Sequence, residues 1–295
     1  MVDWDLAVSL GSRLAGDGPA VGRAEAARVV TELRDGANRS TALVRDFTGL
    51  VAEERTAPVV VVDRRGWIQA NADSFATILS PVIDKLAQRK GVPSGVALAV
   101  GSRVTGAEVG GLLGFLAGKV LGQFDPFFGD AGRLLLVAPN VVHVERELQA
   151  HPQDFRLWVC LHEETHRVQF TAVPWMRDHL RGEMERIADT FEPTRLLDDG
   201  LKRVMEAVRG ARGAGSGGET SLIDLLGTPE QKEIVDRVTG VMSLLEGHAD
   251  VVMDGVGPEV IPTVADARAS ESAPPLQATS SRAPGSRSAR SRRTA

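Results

Sequence analysis

The amino-acid sequence predicts a mainly α-helical fold with a small β element. Apolar residues recur at every third or fourth position over long segments, which is the spacing of one buried helix face. Only two short segments carry aliphatic runs bounded by turn formers, as strands do. Composition agrees with a globular chain, because 43% of the 295 residues are hydrophobic and 25% are charged. We expect a single domain over residues 1–265, with parts at 1–130 and 131–265 as the alternative division.

Charge and cysteine content exclude several classes of protein. The last 30 residues hold six arginines against two acidic residues, a net charge of +4, which leaves −9 on residues 1–265. An acidic body argues against nucleic acid as a partner, because phosphate binding needs a basic face. A single cysteine, Cys160, permits no intrachain disulfide. The first residues are acidic where a secretory signal would be basic, so we expect no such signal, and no uncharged run approaches the roughly 20 residues that cross a bilayer. We therefore expect a cytoplasmic protein that binds no membrane.

The first elements are predicted to be a long helix and a short strand. Residues 23–51 carry apolar side chains at helical spacing. Residues 58–68 begin with a run of valines and end with Trp67 and Ile68, which is typical of a short strand or a hairpin edge.

The next segment is predicted to hold two helices joined by a loop or a short helix. Asn71 and Asp73 are typical helix starters, and the helix they open should run to Lys90. Residues 91–101 contain Gly and Pro and predict a loop or short helix. The segment 105–124 predicts a helix that packs closely against another backbone inside a soluble core. It carries a glycine at every fourth position: Gly106, Gly110, Gly114, Gly118 and Gly122.

A buried strand and four helices are expected in the C-terminal half. Residues 134–137 are consecutive aliphatic residues and predict the strand. The helices are predicted at 154–173, 175–192, 194–209 and 228–254. Pro174 ends the first of them, and Gly255 ends the last. Thr228 and Pro229 are favourable residues for the N-cap and first turn of the last helix.

Two segments are predicted to lack regular structure. Residues 210–218 are rich in Gly, Ala and Ser and predict a flexible loop. Residues 266–295 are rich in Ser, Arg, Pro and Ala and contain almost no large apolar residue. Such a segment cannot bury enough surface to offset the entropy of ordering it, so we expect a disordered basic tail. A basic arm that binds an acidic partner is the alternative.

The chemically informative residues are His162, Glu163 and His166, which form the pattern H-E-x-x-H inside the predicted helix 154–173. Residues i and i+4 lie about 5–6 Å apart on one helix face, so both imidazoles can bind one zinc ion. Glu163 is rotated by about 100° and can reach a metal-bound water as the general base. The pattern therefore predicts Zn²⁺ as the cofactor.

The alternative is a solvated stretch of helix with two unrelated histidines. The charges of Glu164 and Arg167 favour it, because catalytic zinc helices usually keep these positions uncharged. The apolar run 157–161 favours burial instead, and buried polar groups without partners would cost several kcal/mol. Cys160, within that run, faces another side of the helix and is expected in the core.

A third zinc ligand is expected on the last helix. Glu246, Asp250 and Asp254 recur at every fourth position, so one face carries three carboxylates that repel one another without a cation or a histidine opposite. Glu246 is the predicted ligand, and Asp250 is predicted to accept a hydrogen bond from His162 and orient its ring. His248, on the opposite side of the helix, is the alternative ligand. A solvated acidic face would explain the carboxylates without a metal.

The chain contains no tyrosine, a residue that metal hydrolases often use to stabilise an oxyanion. His143, His151, His179 or Arg177 could take that role. The sequence does not choose among them.

Several segments resemble the zincin-like metallopeptidase type 2 family. Residues 162–170 read H-E-E-T-H-R-V-Q-F, and residues 245–250 read L-E-G-H-A-D. Three further stretches share the resemblance: residues 2–7, 120–125 and 256–262. Members are also described as hydrolases associated with the biosynthesis of a deazaflavin redox coenzyme in actinobacteria. The resemblance covers about residues 2–265.

The resemblance implies a mostly helical zincin-like fold with one active-site helix and a second helix that bears a ligand. It implies zinc on His162, His166 and Glu246, with Glu163 as the base of a metallopeptidase acting on a peptide or a small molecule. A zinc-stapled or degenerate helical protein without catalysis is the alternative, and a helical interaction module without metal is the third reading. The tail after residue 265 departs from the family, and we interpret it as a frame-shifted or truncated end.

Overall fold

The computed structural model describes residues 2–51, 57–87, 96–190 and 228–261. Within these ranges the chain forms eight helices and three strands, which confirms the predicted mainly helical fold. The helices are α1 Trp4–Ala15, α2 Arg23–Thr48, α3 Arg64–Ala87, α4 Val96–Leu116, α5 Ala138–Glu147, α6 Pro152–Ala172, α7 Trp175–Asp189 and α8 Pro229–Val260. The strands are β1 Val59–Val62, β2 Gly122–Asp125 and β3 Arg133–Val137. The predicted helix 194–209, loop 210–218 and tail 266–295 lie outside the described residues.

The three strands form one sheet in the order β1-β3-β2. Strand β1 runs parallel to the central strand β3, and β2 runs antiparallel to it. Successive side chains of β3 point to opposite faces. Leu134 and Leu136 pack against α2, α5 and α6, whereas Leu135 and Val137 pack against α3 and α4. The sheet is therefore covered by helices on both faces.

Helix α6 lies between the sheet and α8. Its residues Phe155 and Val159 belong to the core cluster around the sheet. Leu161 and Val168 belong to a second cluster, together with Val252 and other residues of α8. Because both sides of α6 are covered by protein, polar side chains on this helix need partners inside the fold.

Helices α1 and α4 approach each other closely through glycines. Cβ atoms built on Gly106, Gly110 and Gly114 would lie 2.5–2.9 Å from backbone oxygens of α1 and its N-cap residue Asp3. This contact within the chain confirms the predicted close helix packing. The helix ends earlier than predicted, at Leu116, and Asn140 donates hydrogen bonds of 2.7 Å to the backbone oxygens of Ala117 and Val120 that follow it.

Other predicted boundaries were wrong. Residues 118–124 do not continue the glycine-rich helix, because the chain turns after Leu116 and enters β2. Trp67 and Ile68 lie in α3, which begins earlier than predicted because Asp63 accepts hydrogen bonds from the N–H groups of its first turn. Residues 96–101, predicted as a loop or a short helix, belong to the 21-residue helix α4.

Two helices were not predicted, and one runs past its predicted end. Helices α1 and α5 have no counterpart in the predicted elements. Helix α8 continues through Gly255 to Val260. A Cβ on Gly255 would lie 2.0 Å from the ring of Phe47, so glycine at this position permits close packing of α8 on α2.

The N-terminus of α8 agrees with the prediction. The backbone N–H of Gln231 donates to the Thr228 hydroxyl, and the Gln231 side chain accepts from the backbone N–H of Thr228, as in a capping box. None of the described helices combines the length and apolar character needed to cross a membrane.

Candidate metal centre

The predicted metal ligands of α6 face one point. His162 and His166 lie one helical turn apart, and their rings meet edge to face with centroids 4.7 Å apart. Their Nε2 atoms are 3.1 Å apart. The i, i+4 spacing therefore places two imidazole nitrogens side by side, as the sequence predicts.

Helix α8 brings a carboxylate to the same point. The two carboxylate oxygens of Glu246 lie 3.5 Å from Nε2 of His162 and 3.5 Å from Nε2 of His166. The ligand atoms of the three residues lie within 4.8 Å of one another. The structure thus brings together the three residues that the sequence predicts as zinc ligands.

Each imidazole has an acceptor behind it. Nδ1 of His162 lies 3.3 Å from Sδ of Met253, and Nδ1 of His166 lies 3.0 Å from Oε1 of Gln169. A neutral imidazole has one N–H group and one lone pair, so an N–H at each Nδ1 leaves both Nε2 lone pairs facing each other and Glu246. These electron-rich atoms repel one another unless a cation lies between them. The donor set fits zinc, which binds imidazole nitrogen and carboxylate oxygen.

When no cation is present, the electrostatics of the site favour the neutral form of His162 and the protonated form of Glu163. Burial lowers the pKa of His162, and the neighbouring His166 lowers it further. Burial raises the pKa of Glu163 to about 8, and the negative charge of Glu246 adds to this shift. A neutral His162 is ready to bind a metal without losing a proton.

Glu163 packs against strand β2. A Cβ on Gly122 would lie 2.5 Å from Cγ of Glu163, so the close contact requires glycine at this position. In the sheet that the structure describes, β2 is an edge strand. The backbone N–H of Val137 donates to the backbone oxygen of Leu121, so these two residues form a hydrogen-bonded pair between β3 and β2. Such pairs alternate with non-hydrogen-bonded pairs along antiparallel strands, so the backbone groups of Gly122 and Phe124 point away from β3, to the other edge of β2. Gly122, whose backbone groups point to this edge in the described sheet, thus lies beside the predicted base.

His248 and Asp250 occupy different surroundings from Glu246. Nδ1 of His248 lies 2.8 Å from Nε2 of Gln169. The negative charge of Asp250 raises the pKa of His162, in opposition to burial. The contact found at Nδ1 of His162 is with Met253, so the hydrogen bond from His162 to Asp250 stays a prediction.

Glu164 and Arg167 form a buried ion pair. Nε of Arg167 donates to Glu164 at 2.8 Å, and other nitrogens of the guanidinium donate to the Ala57 carbonyl and the Thr41 hydroxyl. Side chains of both residues are at most 8% exposed. These charges therefore anchor α6 to α2 and to the residue Ala57 just before β1. This anchoring explains why charged residues occur inside the H-E-x-x-H segment and directly after it.

Cys160 lies in the core, as predicted. It is fully buried, and its Sγ donates a hydrogen bond to the Leu33 carbonyl. Burial raises the pKa of the thiol, which favours the uncharged form.

The four candidate oxyanion stabilisers lie in different places. His143 and His151 are exposed and lie beside Glu147 and Asp154. His179 packs against Trp175. The fourth candidate, Arg177, donates to the backbone oxygens of Gly129 and Asp130. It lines a cleft of about 330 Å³ together with Phe124 of β2 and Phe170, which follows His166 by one turn of α6.

Three residues of the site were not predicted individually. Gln169 and Met253 contact the Nδ1 atoms of the two histidines, and Gly122 contacts Glu163. The available signals were the position of Gln169, three residues after His166 on the same helix, and the family resemblance, whose segments include Gln169 and Gly122. The roles of Met253 and Gly122 depend on contacts between elements that are distant in sequence.

Comparison with known proteins gives a family and a similar fold. The model of the zincin-like metallopeptidase family matches residues 2–274. A crystal structure from Chloroflexus aurantiacus, described as that of a candidate hydrolase with a novel fold, aligns with a TM-score of 0.63 and 29% sequence identity. The alignment covers 92% of this chain and 74% of that one. No curated protein matches the chain. The chain therefore belongs to the zincin-like metallopeptidase family.

Proposed function

We propose that the protein is a zinc-dependent hydrolase, and most simply a peptidase. His162, His166 and Glu246 would hold the zinc ion, and Glu163 would act as the general base. The observation that carries the proposal is the convergence of three ligand atoms within 4.8 Å beside a buried carboxyl group. The identity of the metal as zinc rests on this donor set and on the family.

The chain supplies the proton transfers of such a reaction. When bound, zinc acts as a Lewis acid that polarises a carbonyl group and lowers the pKa of water. Glu163 accepts a proton from the attacking water and passes it to the leaving nitrogen. Its carboxyl, with a pKa of about 8 by itself, ionises at lower pH beside a bound cation, because an opposite charge favours the carboxylate.

The free edge of β2 supports a peptide as the substrate. An extended peptide can pair with a sheet edge through its main chain, and β2 is an edge strand of the described sheet, toward whose edge Gly122 directs its backbone groups. Gly122 also contacts Glu163, so a peptide bound there would pass next to the base. The link to deazaflavin coenzyme biosynthesis rests on the family resemblance alone and stays a prediction.

Metal content and peptide hydrolysis test the proposal together. Elemental mass spectrometry of protein purified without chelator or polyhistidine tag should find about one zinc ion per chain, and His162→Ala should lose it. Glu163→Gln should retain zinc and lower cleavage of a mixture of unstructured peptides by about 10²–10⁴-fold. Hydrolysis that survives Glu163→Gln would contradict the assigned base. A folded wild-type chain without metal would contradict the zinc site, and bound zinc without hydrolysis would favour a structural role.

A further inference from the structure

Gln169 makes polar contacts with both helices that carry the proposed ligands. Its side chain, in a residue that is 3% exposed, lies between α6 and α8. Oε1 lies 3.0 Å from Nδ1 of His166. Nε2 lies 3.0 Å from the backbone oxygen of Leu245 and 2.8 Å from Nδ1 of His248.

The Leu245 carbonyl determines which way the amide of Gln169 points. A carbonyl oxygen can only accept, so the amide nitrogen must face Leu245 and the amide oxygen must face His166. Both hydrogens of the nitrogen then have acceptors, the Leu245 oxygen and Nδ1 of His248. The acceptor at Nδ1 of His166 places the ring proton there, which leaves Nε2 with its lone pair directed toward Glu246.

We propose that Gln169 is a positioning residue that prepares both ligand helices for one metal ion. It orients His166 directly, and it acts on Glu246 through the carbonyl of the preceding residue, Leu245. It also holds His248 as a hydrogen-bond acceptor through Nδ1. The inference rests on the proposed zinc site and adds the group that sets its geometry.

Substitution of Gln169 is expected to lower metal affinity, and to change activity only as a consequence. Groups that orient a metal-bound histidine through its second nitrogen typically change metal affinity by 10–100-fold. Gln169→Leu keeps the size of the side chain and removes all three contacts, so zinc affinity should fall by about that factor. Gln169→Glu keeps an acceptor for Nδ1 of His166 and loses the donors to α8, so its affinity should lie between those of Gln169→Leu and the wild type.

Chelator competition with the purified chain measures the affinities. The matched control is Gln153→Leu, the same substitution at an exposed position of α6, which should leave zinc affinity unchanged. Circular dichroism shows whether each variant is folded. A folded Gln169→Leu variant with wild-type zinc affinity would overturn the proposal.

A second measurement does not depend on zinc. Nitrogen-15 NMR of the metal-free wild type at pH 8 should find the His166 proton on Nδ1, and Gln169→Leu should lose this preference. A proton on Nε2 of His166 in the wild type would overturn the proposal even if the variant does not fold. If the wild type binds no zinc, the metal proposal fails, and the tautomer still decides whether Gln169 orients His166.

Discussion

Glu246 and His248 lie two positions apart on α8, and residues at this spacing point about 200° apart around a helix. Glu246 directs its carboxylate toward the Nε2 atoms of the two α6 histidines at 3.5 Å. His248 instead lies beside the amide of Gln169. Two positions of α8 thus separate a group positioned to bind a cation from a group in the hydrogen-bond network behind the ligands.

We predict that Glu246→Ala lowers zinc affinity by more than about 100-fold, because even groups behind the ligands contribute 10–100-fold. His248→Ala removes one neutral hydrogen bond of about 1 kcal/mol, so affinity should stay within about fivefold of the wild type. Competition with a chelating dye measures both constants. The reverse order of effects would assign the third ligand to His248.

At the residue scale, the sequence predicts groups whose spacing follows one helix. His162, Glu163 and His166 are recognisable from i, i+1 and i+4 alone, and Glu246 from a carboxylate stripe on a second helix. Met253 could not be found in this way, because its contact with His162 joins two helices that are far apart in the chain. Such contacts depend on tertiary packing, which local spacing does not encode.

At the scale of elements, the contact between α1 and α4 depends on glycines on one face of α4. A Cβ on Gly110 would lie 2.6 Å from the backbone oxygen and 3.0 Å from Cα of Ala7. A Cβ on the next residue, Gly111, would meet nothing within 4 Å. Adjacent glycines of one helix therefore have opposite relations to the neighbouring helix.

We predict opposite effects for Gly110→Ala and Gly111→Ala. Alanine favours helix over glycine by about 0.5–1 kcal/mol at either position. At residue 110 the new methyl group meets backbone atoms that cannot move cheaply, and overpacking costs about 1–3 kcal/mol, so the free energy of unfolding should fall. At residue 111 it should rise. Urea denaturation measures both, and stabilisation by Gly110→Ala would contradict the close packing of α1 on α4.

The sequence predicts elements whose ends carry local signals better than elements whose ends depend on packing. Helix α6 runs from Pro152 to Ala172 where 154–173 was predicted, because its apolar run and the following proline are local signals. Trp67 and Ile68 were wrongly predicted to continue the strand that begins with the valines, because apolar residues after a strand resemble its continuation. Gly255 resembled a helix end, but it lies inside α8, where the lack of a side chain permits close packing against the ring of Phe47.

At the scale of the whole molecule, α6 joins α2 and α5 through buried charges, and it joins the sheet and α8 through apolar contacts. Arg156 donates to Glu145 of α5 and to Glu32 of α2, and side chains of Arg156 and Glu145 are at most 6% exposed. Glu164 and Arg167 form a second buried pair nearer to the site. Loss of one partner from such a pair costs about 3–5 kcal/mol, so these ion pairs specify how α6 sits in the fold.

We predict that zinc stabilises the whole fold, because its proposed ligands come from two helices, α6 and α8, that are far apart in the chain. A ligand that binds only the folded state at 100 times its Kd adds about 2.7 kcal/mol to the free energy of unfolding. For a chain of this size, 1 kcal/mol shifts Tm by about 2–4 °C, so the expected rise is roughly 5–10 °C. Thermal unfolding with zinc and with excess chelator measures the difference.

The matched control for this prediction is His162→Ala, which removes one proposed ligand from the centre of α6. Its Tm should be the same with zinc and with chelator, because two remaining ligands on different helices hold the ion weakly. An equal rise in Tm for this variant and the wild type would mean that zinc binds elsewhere on the chain. A rise in Tm confined to the wild type would mean that one metal ion links α6 to α8. The thermal unfolding transition would then report both metal binding and the packing of α8 on the core.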